Sequence, residues 1–344
     1  MNYRKTALIE LGGSHSECIY SQLLFLKNKK FKTSLILDQK VDTLIDYEEM
    51  YEAKKVYNTN ISPILLAFKV WKYIITNNFS LVIFNTAQGS ITKYICILPF
   101  PSKISFIGTL HNLRKTQGSI GHNIIARKCN KLFTLSDFLI DNISTNKSSY
   151  RAYYPVFFPK YTIDTSVIKK TGEIWITVPG GIFFERKPYM DFISKLKIEN
   201  SNLRFLFLGI GNKKQLNQLK SIIEEQSLSK YFIFWDQFIS NSTFHTYINL
   251  SDYILPLVDT EFNNEMYKTR ITGAFNLAYA YKKTMILHSS FKTYMEFNNN
   301  TIFYNYTSIN SILANLANSS NYINNDFLSL EYQSKRYTEF IPIK

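Results

Sequence analysis

The chain has 344 residues, of which 45% are hydrophobic and 19% charged, so it can form sizeable cores and is not a disordered segment. Its formal net charge of +14 favours an anionic partner such as a phosphate-bearing substrate or a membrane surface, with a plain solubility surplus as the alternative. No apolar run approaches the roughly 20 residues that span a bilayer. A reduced, cytoplasmic protein without a disulfide framework is expected from three scattered cysteines, Cys18, Cys96 and Cys129.

Short apolar strands alternate with longer helical segments along the first half of the chain. This alternation is typical of βα units that build a parallel sheet. The predicted strands cover residues 6–11, 33–37, 81–84, 104–108 and 131–134. The predicted helices cover residues 16–29, 62–76, 90–98, 120–128 and 136–143.

Pro155 and Pro159 lie in a stretch without helical period, residues 149–160, which predicts a linker. Strand–helix alternation then resumes. The second set of predicted strands covers 173–178, 204–208, 231–234, 253–257, 284–287 and 301–304. The second set of predicted helices covers 189–197, 213–225, 241–249, 273–281, 309–317 and a tail helix at 329–340.

The sequence therefore predicts an α/β protein with two doubly wound Rossmann-like domains. The predicted N-terminal domain is residues 1–154, and the C-terminal domain is residues 155–328. A tail of residues 329–344 is expected to pack back toward the N-terminal domain. Ligands of such folds bind at the carboxyl ends of the strands, and the expected site lies where the two halves face each other.

Two motifs of the first half follow predicted strands. Gly12 and Gly13 form a turn before a helix, where exposed N–H groups suit a phosphate or a sugar hydroxyl. His15 lies in the same turn. The spacing is not GxGxxG, so a dinucleotide site is not indicated, and a tight turn without a ligand is the alternative. His111 follows another strand and suits a hydrogen bond to a sugar or acid–base work, unless it is a structural histidine.

A second glycine turn, Gly180 and Gly181, ends the first strand of the second half. Arg186 and Lys187 follow it, just before a helix. Two cations at a helix N-terminus oppose the helix dipole unless an anion compensates. The pattern therefore favours a bound diphosphate over a solvated basic pair.

The last motif combines acidic loop residues with a small-residue helix start. Glu261 and Glu265 follow the strand predicted at 253–257, and Thr272 with Gly273 opens the next helix. A carboxylate there suits the two hydroxyls of a ribose, and the helix N-terminus suits a phosphate. A solvated acidic loop is the alternative. No DxD, HExxH, GxSxG or P-loop motif occurs, so no metal site is predicted.

In this order, the motifs resemble those of GT-B glycosyltransferases, especially the large retaining family of bacterial sugar transferases of polysaccharide assembly. The resemblance covers nearly the whole chain and implies two Rossmann-like domains that face each other across a cleft. It implies that Gly12 and Gly13 face the donor phosphates or the acceptor. It also implies that His111 lies near the transferred sugar, and that the basic pair at 186–187 grips the donor diphosphate.

Residues 232–256 resemble the family's segment in which a turn contacts the nucleobase, which implies a role for Gln237 and Phe238. Glu261 matches the first of the family's two glutamates, and Leu277 stands where the second is expected. The resemblance thus leaves ribose binding to Glu261 or to a loop residue such as Glu265. Residues 267–275 resemble a variant with a Lys-x-x-x-x-Gly helix start.

These features predict a metal-independent hexosyl or related glycosyltransferase. It would move a sugar from a nucleotide-diphosphate donor to a saccharide or lipid-linked acceptor in bacterial surface polysaccharide synthesis. The sugar nucleotide is a co-substrate, and no cofactor and no nucleic-acid partner are predicted. The expected location is the cytoplasm, with the basic region 114–131 resting on the inner face of an anionic membrane.

Two other functions stay open. A sugar-nucleotide 2-epimerase uses the same two-domain fold and would need clustered carboxylate and histidine acid–base groups. A non-enzymatic binding protein, such as a degenerate transferase, is the other; Leu277 in place of the second glutamate favours it. A nucleic-acid binder has little support, because no RNA- or DNA-binding pattern appears.

Overall fold

The computed structural model describes residues 4–29, 31–116, 118–143, 149–317 and 322–342. The chain divides into two compact units. Unit 1 comprises Met1–Pro159 and Asn325–Lys344, and unit 2 comprises Lys160–Asn324. Each unit is built around a parallel sheet of its own.

The sheet of unit 1 has seven described strands, all parallel, in the order β3-β2-β1-β4-β5-β6-β7. Apolar residues with buried side chains fill the central strands, as expected for a sheet that is covered on both faces. The strands are β1 Arg4–Glu10, β2 Phe31–Asp38, β3 Ala53–Tyr57, β4 Leu81–Phe84, β5 Ser105–Thr109, β6 Leu132–Thr134 and β7 Tyr150–Ala152.

The helices of unit 1 cover both faces of this sheet. They are α1 Ile19–Lys27, α2 Gln39–Asp42, α3 Pro63–Thr76, α4 Ser90–Ile97, α5 Ile120–Cys129 and α6 Asp137–Asp141. A C-terminal helix, which we number α13, covers Leu330–Phe340 and packs against α1. Its Tyr337 ring stacks on Phe133 with ring centroids 4.4 Å apart, which fixes this helix to the core of unit 1.

Unit 2 has six described parallel strands in the order β10-β9-β8-β11-β12-β13. They are β8 Ile174–Pro179, β9 Leu203–Leu208, β10 Phe232–Phe234, β11 Tyr253–Ile254, β12 Thr284–His288 and β13 Thr301–Tyr304. The helices are α7 Tyr189–Ser194, α8 Lys213–Glu225, α9 Asn241–Leu250, α10 Phe262–Glu265, α11 Gly273–Ala280 and α12 Ile309–Ala314.

Two strands of unit 1 differ from the sequence-based expectation. β3 was not predicted, because it is an edge strand whose Lys54 and Lys55 break the apolar run. The predicted linker over 149–160 is wrong at its start, because β7 pairs with β6 and Tyr153 and Tyr154 are buried behind it. None of the described helices is both long and apolar enough to cross a membrane.

Candidate functional site

The strand orders locate one switch point in each unit. In unit 1 the connection from β1 leads to β2 on one side, whereas the connection from the adjacent β4 leads to β5 on the other. In unit 2 the connections from β8 to β9 and from the adjacent β11 to β12 diverge in the same way. In open α/β sheets, ligands bind beside the carboxyl end of such a strand. The glycine turns at Gly12–Gly13 and Gly180–Gly181 directly follow β1 and β8.

The glycine turn of unit 2 is packed against a second glycine segment. Gly180 has φ +95°, a conformation that side chains rarely adopt. A Cβ on Gly209 would lie 2.3 Å from the Gly180 carbonyl oxygen, and one on Gly211 would lie 2.3 Å from that of Ile182. Gly209 and Gly211 were not predicted as site residues, although a Gly-Ile-Gly after the strand at 203–208 is typical of a close backbone approach.

The two basic residues after this turn have different environments. Lys187 is only 5% exposed, and its Nζ donates a hydrogen bond of 2.7 Å to the Pro179 carbonyl oxygen. Burial lowers the pKa of Lys187 to about 7. Arg186 is exposed, and its guanidinium lies 5.1 Å from the centre of the Phe183 ring. The sequence described one basic pair, whereas the fold provides one buried and one solvated cation.

The segment around α10 packs beside this turn. The Asn263 side chain donates to the Glu185 carbonyl oxygen. Tyr267 is buried, and burial raises its pKa to about 12 although the charges of Arg186 and Arg270 oppose that rise. Arg186 and Arg270 thus lie close to the same tyrosine. Arg270 is a further candidate for anion binding that the sequence analysis did not select.

The acidic residues of this loop are not equivalent. Asp259 is buried and its Oδ1 accepts the backbone N–H of Glu261 at 2.8 Å, so it fixes the start of α10. Glu265 forms an ion pair with Lys268, with Oε1 and Nζ 2.6 Å apart. Glu261 is exposed at the N-cap of α10. It is therefore the more accessible carboxylate for a ligand.

The remaining predicted residues of unit 2 lie at the same edge of the sheet. Thr272 is the N-cap of α11, its side chain accepts the Ala274 N–H, and a Cβ on Gly273 would point into open space. Leu277 is buried in this helix, which packs against β8, β11 and β12. Gln237 and Phe238 lie in the turn after the edge strand β10, and both are exposed.

In unit 1, a buried carboxylate holds the glycine turn. Glu10 is 1% exposed, and its Oε1 accepts the Gly12 N–H at 2.7 Å. Its Oε2 accepts from Asn85 Nδ2 and from Thr86 Oγ1, both at 2.6 Å. Gly13 follows with φ +68°. Because the Gly12 N–H is bonded to a carboxylate, this turn suits a hydroxyl better than a phosphate.

The two predicted histidines of unit 1 are in contact. His15 and His111 stack with ring centroids 3.7 Å apart. His111 is nearly buried, and its Nε2 donates to the Asn85 carbonyl oxygen at 2.8 Å. Burial, followed by the charge of His15, lowers the pKa of His111 to about 3. His111 is therefore neutral at physiological pH and has its lone pair on Nδ1.

A cavity of about 340 Å³ opens beside the same glycine turn. Residues of β1 and β2, of the loops that follow β3 and β4, and of the first turn of α4 contribute to it. The polar groups that line it with Gly12 and Gly13 include Asp38, Lys40, Thr59, Gln88 and Ser90. Of these, only the glycines were selected from sequence, because the others come from three separate segments, at 38–40, 59 and 88–90. Among the described residues, no group of three or more His, Cys, Asp or Glu side chains forms a metal site.

No protein-family model and no curated protein matches the sequence. Among solved structures, Anabaena Alr3699/HepE in complex with UDP is 12% identical over 98% of this chain and 96% of its own length, with a TM-score of 0.64. A glycosyltransferase from Rickettsia africae ESF-5 is 13% identical over 91% of this chain and 88% of its own, with a TM-score of 0.59. A UDP-N-acetylglucosamine 2-epimerase is 10% identical over 98% of this chain and 91% of its own length, with a TM-score of 0.58.

These identities are low, so the similarity shows the fold. The chain has the two-domain GT-B fold with two parallel-sheet Rossmann-like domains. The predicted α/β fold class is confirmed. The roles of the individual site residues remain predictions.

Proposed function

We propose that this GT-B chain is a glycosyltransferase that moves a hexose from a UDP-sugar to a saccharide or lipid-linked acceptor. The similar proteins HepE and the 2-epimerase support a UDP-sugar, since HepE was solved with UDP and with UDP-glucose. The observation that carries the proposal is the buried Lys187 at the switch point of unit 2.

Lys187 supports an anionic ligand because its ammonium has three donors. Its Nζ donates a hydrogen bond to a neutral carbonyl oxygen, that of Pro179. A buried ammonium is costly unless an anion or several acceptors compensate it. The diphosphate of a sugar nucleotide would supply both charge and acceptors at this position.

In the proposed reaction, an acceptor hydroxyl forms a bond to the anomeric carbon of the donor sugar. The bond from that carbon to the diphosphate breaks, UDP leaves with the electron pair, and the hydroxyl proton is released to water. Negative charge grows on the diphosphate, and Lys187 and Arg186 with the N–H groups at Gly273 would stabilise it. We therefore propose transfer without a protein-bound metal.

The nucleoside would lie on neighbouring loops of unit 2. We assign the nucleobase to the turn with Gln237 and Phe238, both exposed after β10. We assign the ribose hydroxyls to Glu261, because the carboxylate of Glu265 is paired with Lys268. Thr272 fixes the first turn of α11 beside the phosphates.

The acceptor would occupy the cavity of unit 1. Its mixture of hydroxyl, amide and charged groups suits a neutral sugar, and the buried Asp38 with Glu10 behind the turn disfavours a phosphate. Nδ1 of His111 would accept a hydrogen bond from a sugar hydroxyl. We propose a role in surface polysaccharide synthesis, in the cytoplasm at the inner face of the membrane. The free cysteines are consistent with a reducing compartment.

A ligand screen tests the donor assignment. Thermal unfolding is measured with UDP, GDP, ADP and their common sugar conjugates, since a bound ligand raises the stability by mass action. We expect UDP and a UDP-sugar to raise Tm, and UDP release to require an added saccharide. No shift with any nucleotide would overturn the proposal.

A 2-epimerase is the second candidate, because unit 1 clusters the acid–base groups that it requires. His15 contacts His111, its Nδ1 lies 3.3 Å from Glu17 Oε1, and Glu10 holds the same turn. Incubation of the chain with UDP-N-acetylglucosamine alone in deuterated water separates the two activities. Deuterium at C2 of the sugar without any acceptor would establish epimerisation. Nucleotide binding without either reaction would indicate a non-enzymatic binding protein.

A further inference from the structure

Three side chains from distant parts of unit 1 form a buried chain of hydrogen bonds. Tyr337 of α13 donates from its hydroxyl to Gln22 Oε1 on α1 at 2.9 Å. Gln22 Nε2 donates in turn to Oδ1 of Asn85, the residue after β4, at 2.5 Å. All three residues are fully buried. We call Tyr337, Gln22 and Asn85 the buried relay, and it connects the C-terminal helix with the carboxyl edge of the sheet.

Neighbouring carbonyl groups fix the direction of each hydrogen bond in the buried relay. Gln22 Nε2 also donates to the Cys18 carbonyl oxygen at 3.2 Å, and Asn85 Nδ2 donates to the His15 carbonyl oxygen at 3.0 Å. A carbonyl oxygen can only accept, so the amide nitrogen must face it in both cases. The amide oxygens are then acceptors, and the Tyr337 hydroxyl must donate. A flipped amide would leave buried polar atoms unpaired, which is costly.

Asn85 contacts each group that surrounds the first glycine turn. Its Nδ2 donates to Glu10 Oε2 at 2.6 Å as well as to the His15 carbonyl oxygen. Its backbone carbonyl oxygen accepts from Nε2 of His111 at 2.8 Å. His15 has φ +64°, an uncommon backbone conformation, and its ring stacks on His111. The positions of both imidazole rings and the tautomer of His111 thus depend on Asn85.

The packing of its ring holds the Tyr337 hydroxyl in place. The ring stacks on Phe133 with centroids 4.4 Å apart, and it lies edge-on to Tyr153 at 5.1 Å. These ring contacts do not need the hydroxyl, so a phenylalanine at this position keeps α13 packed on the core. The substitution therefore removes only the hydrogen bond to Gln22 and opens the buried relay at its outer end.

We propose that Asn85, Gln22 and Tyr337 are positioning residues for His111, so that the C-terminal helix sets the tautomer and ring position of this histidine. Without the Tyr337 hydroxyl, Gln22 Oε1 is a buried acceptor without this donor, and the amide rotates to regain one. Asn85 Oδ1 then loses its own donor, and the Asn85 side chain releases the His15 carbonyl oxygen. The bond that keeps the proton on Nε2 of His111 weakens, and the Nδ1–H tautomer becomes populated.

NMR of the full chain with isotope-labelled histidine tests this inference without any substrate. Long-range correlations between ring protons and nitrogens identify the protonated nitrogen, and the spectrum of H111F assigns the His111 signals. At about pH 7.5 the unchanged protein should show His111 with its proton on Nε2 only. Y337F should show both tautomers, or exchange between them. Q22M, which keeps an unbranched side chain of similar length, should show the same change.

Y154F is the matched control. Tyr154 is also a buried tyrosine, but its hydroxyl donates to Asp137. Y154F should therefore keep the His111 spectrum of the unchanged protein. An unchanged His111 spectrum in both Y337F and Q22M would overturn the inference. So would an equal change in Y154F, since a general loss of stability would then explain the effect.

The effect on the reaction is measured separately, because this part alone rests on the proposed function. With UDP-glucose as donor, kcat for transfer should fall about tenfold in Y337F, the size expected for one hydrogen bond, at an unchanged KM for UDP-glucose. A changed His111 spectrum with full activity would support the positioning and contradict only the role of His111 in transfer. If no form of the chain transferred sugar, the proposed function would fail, and the NMR result would still decide whether the buried relay positions His111.

Discussion

The ammonium of Lys187 donates a 2.7 Å hydrogen bond to the carbonyl oxygen of Pro179, the last residue of β8. The bond spans the turn at Gly180 and holds a buried amino group, with a pKa lowered to about 7, at the switch point of the unit 2 sheet. Arg186, its neighbour in sequence, is exposed. The fold thus positions the Lys187 amino group before any ligand binds, and a bound diphosphate would favour its charged form, which can stabilise a leaving group.

Replacing Lys187 with Met should weaken UDP binding by about ten- to a hundredfold, because a charge-assisted hydrogen bond contributes about 1.5–3 kcal/mol. The fold should survive, since Met has a similar shape and removes a buried charge. Isothermal calorimetry with UDP measures the change. K195M, near the end of α7, is the control. Unchanged UDP affinity in K187M would show that Lys187 does not bind the donor.

The same lysine predicts a dependence of stability on pH. Burial lowers its pKa to about 7, whereas the unfolded chain has the ordinary value near 10.5. Between these values the unfolded chain binds a proton that the folded chain has released, so this group raises the free energy of unfolding as pH increases. Urea unfolding at about pH 7 and about pH 9 should show this rise in the unchanged protein and a smaller one in K187M. If the free energy of unfolding changed equally with pH in K187M and in the unchanged protein, this prediction would be wrong.

Gly209 and Gly273 should respond differently to alanine. A Cβ on Gly209 would meet the Gly180 carbonyl oxygen at 2.3 Å, so G209A should lower stability by about 1–3 kcal/mol and weaken UDP binding. A Cβ on Gly273 meets nothing within 4 Å. G273A should therefore keep its Tm and lose UDP affinity only if a phosphate occupies that space. Thermal unfolding and calorimetry distinguish the two effects, and a stable G273A with full affinity would exclude α11 from the site.

Replacing His111 with Phe should reduce transfer about a hundredfold or more while UDP binding is kept, as for loss of a group that acts on the reacting sugar. Because its pKa is about 3, the Cε1 proton resonance of His111 should not titrate between about pH 5 and 8. H122F, in α5 outside the cavity, is the control. Full activity of H111F would show that His111 has a structural role and does not act on the sugar.

Replacing Ser90 with Trp would place a large ring in the unit 1 cavity. We expect the KM for the acceptor saccharide to rise about tenfold or more, since the ring would displace the ligand, with UDP affinity unchanged. N123W, exposed on α5 away from the cavity, is the control. An unchanged acceptor KM in S90W would show that the acceptor binds elsewhere.

Most strands and helices and both glycine turns could be predicted from local sequence patterns. Alternating apolar strands and helices were recognisable because each element repeats its own hydrophobic period. Gly13 and Gly180 follow β1 and β8 with φ of +68° and +95°, values that glycine adopts without a steric penalty. The edge strands β3 and β7 were not predicted, because they contain basic and aromatic residues and lack an apolar run.

Which side chains are buried, and which of them contact one another, depends on how distant segments pack. Arg186 and Lys187 are adjacent cations in sequence, yet packing of Gly209 and the β8 turn buries one and leaves the other in water. Asp38, Thr59 and Ser90 line one cavity only because β1 pairs with both β2 and β4. Strand order arises from contacts between distant segments, and local periodicity carries no information about them.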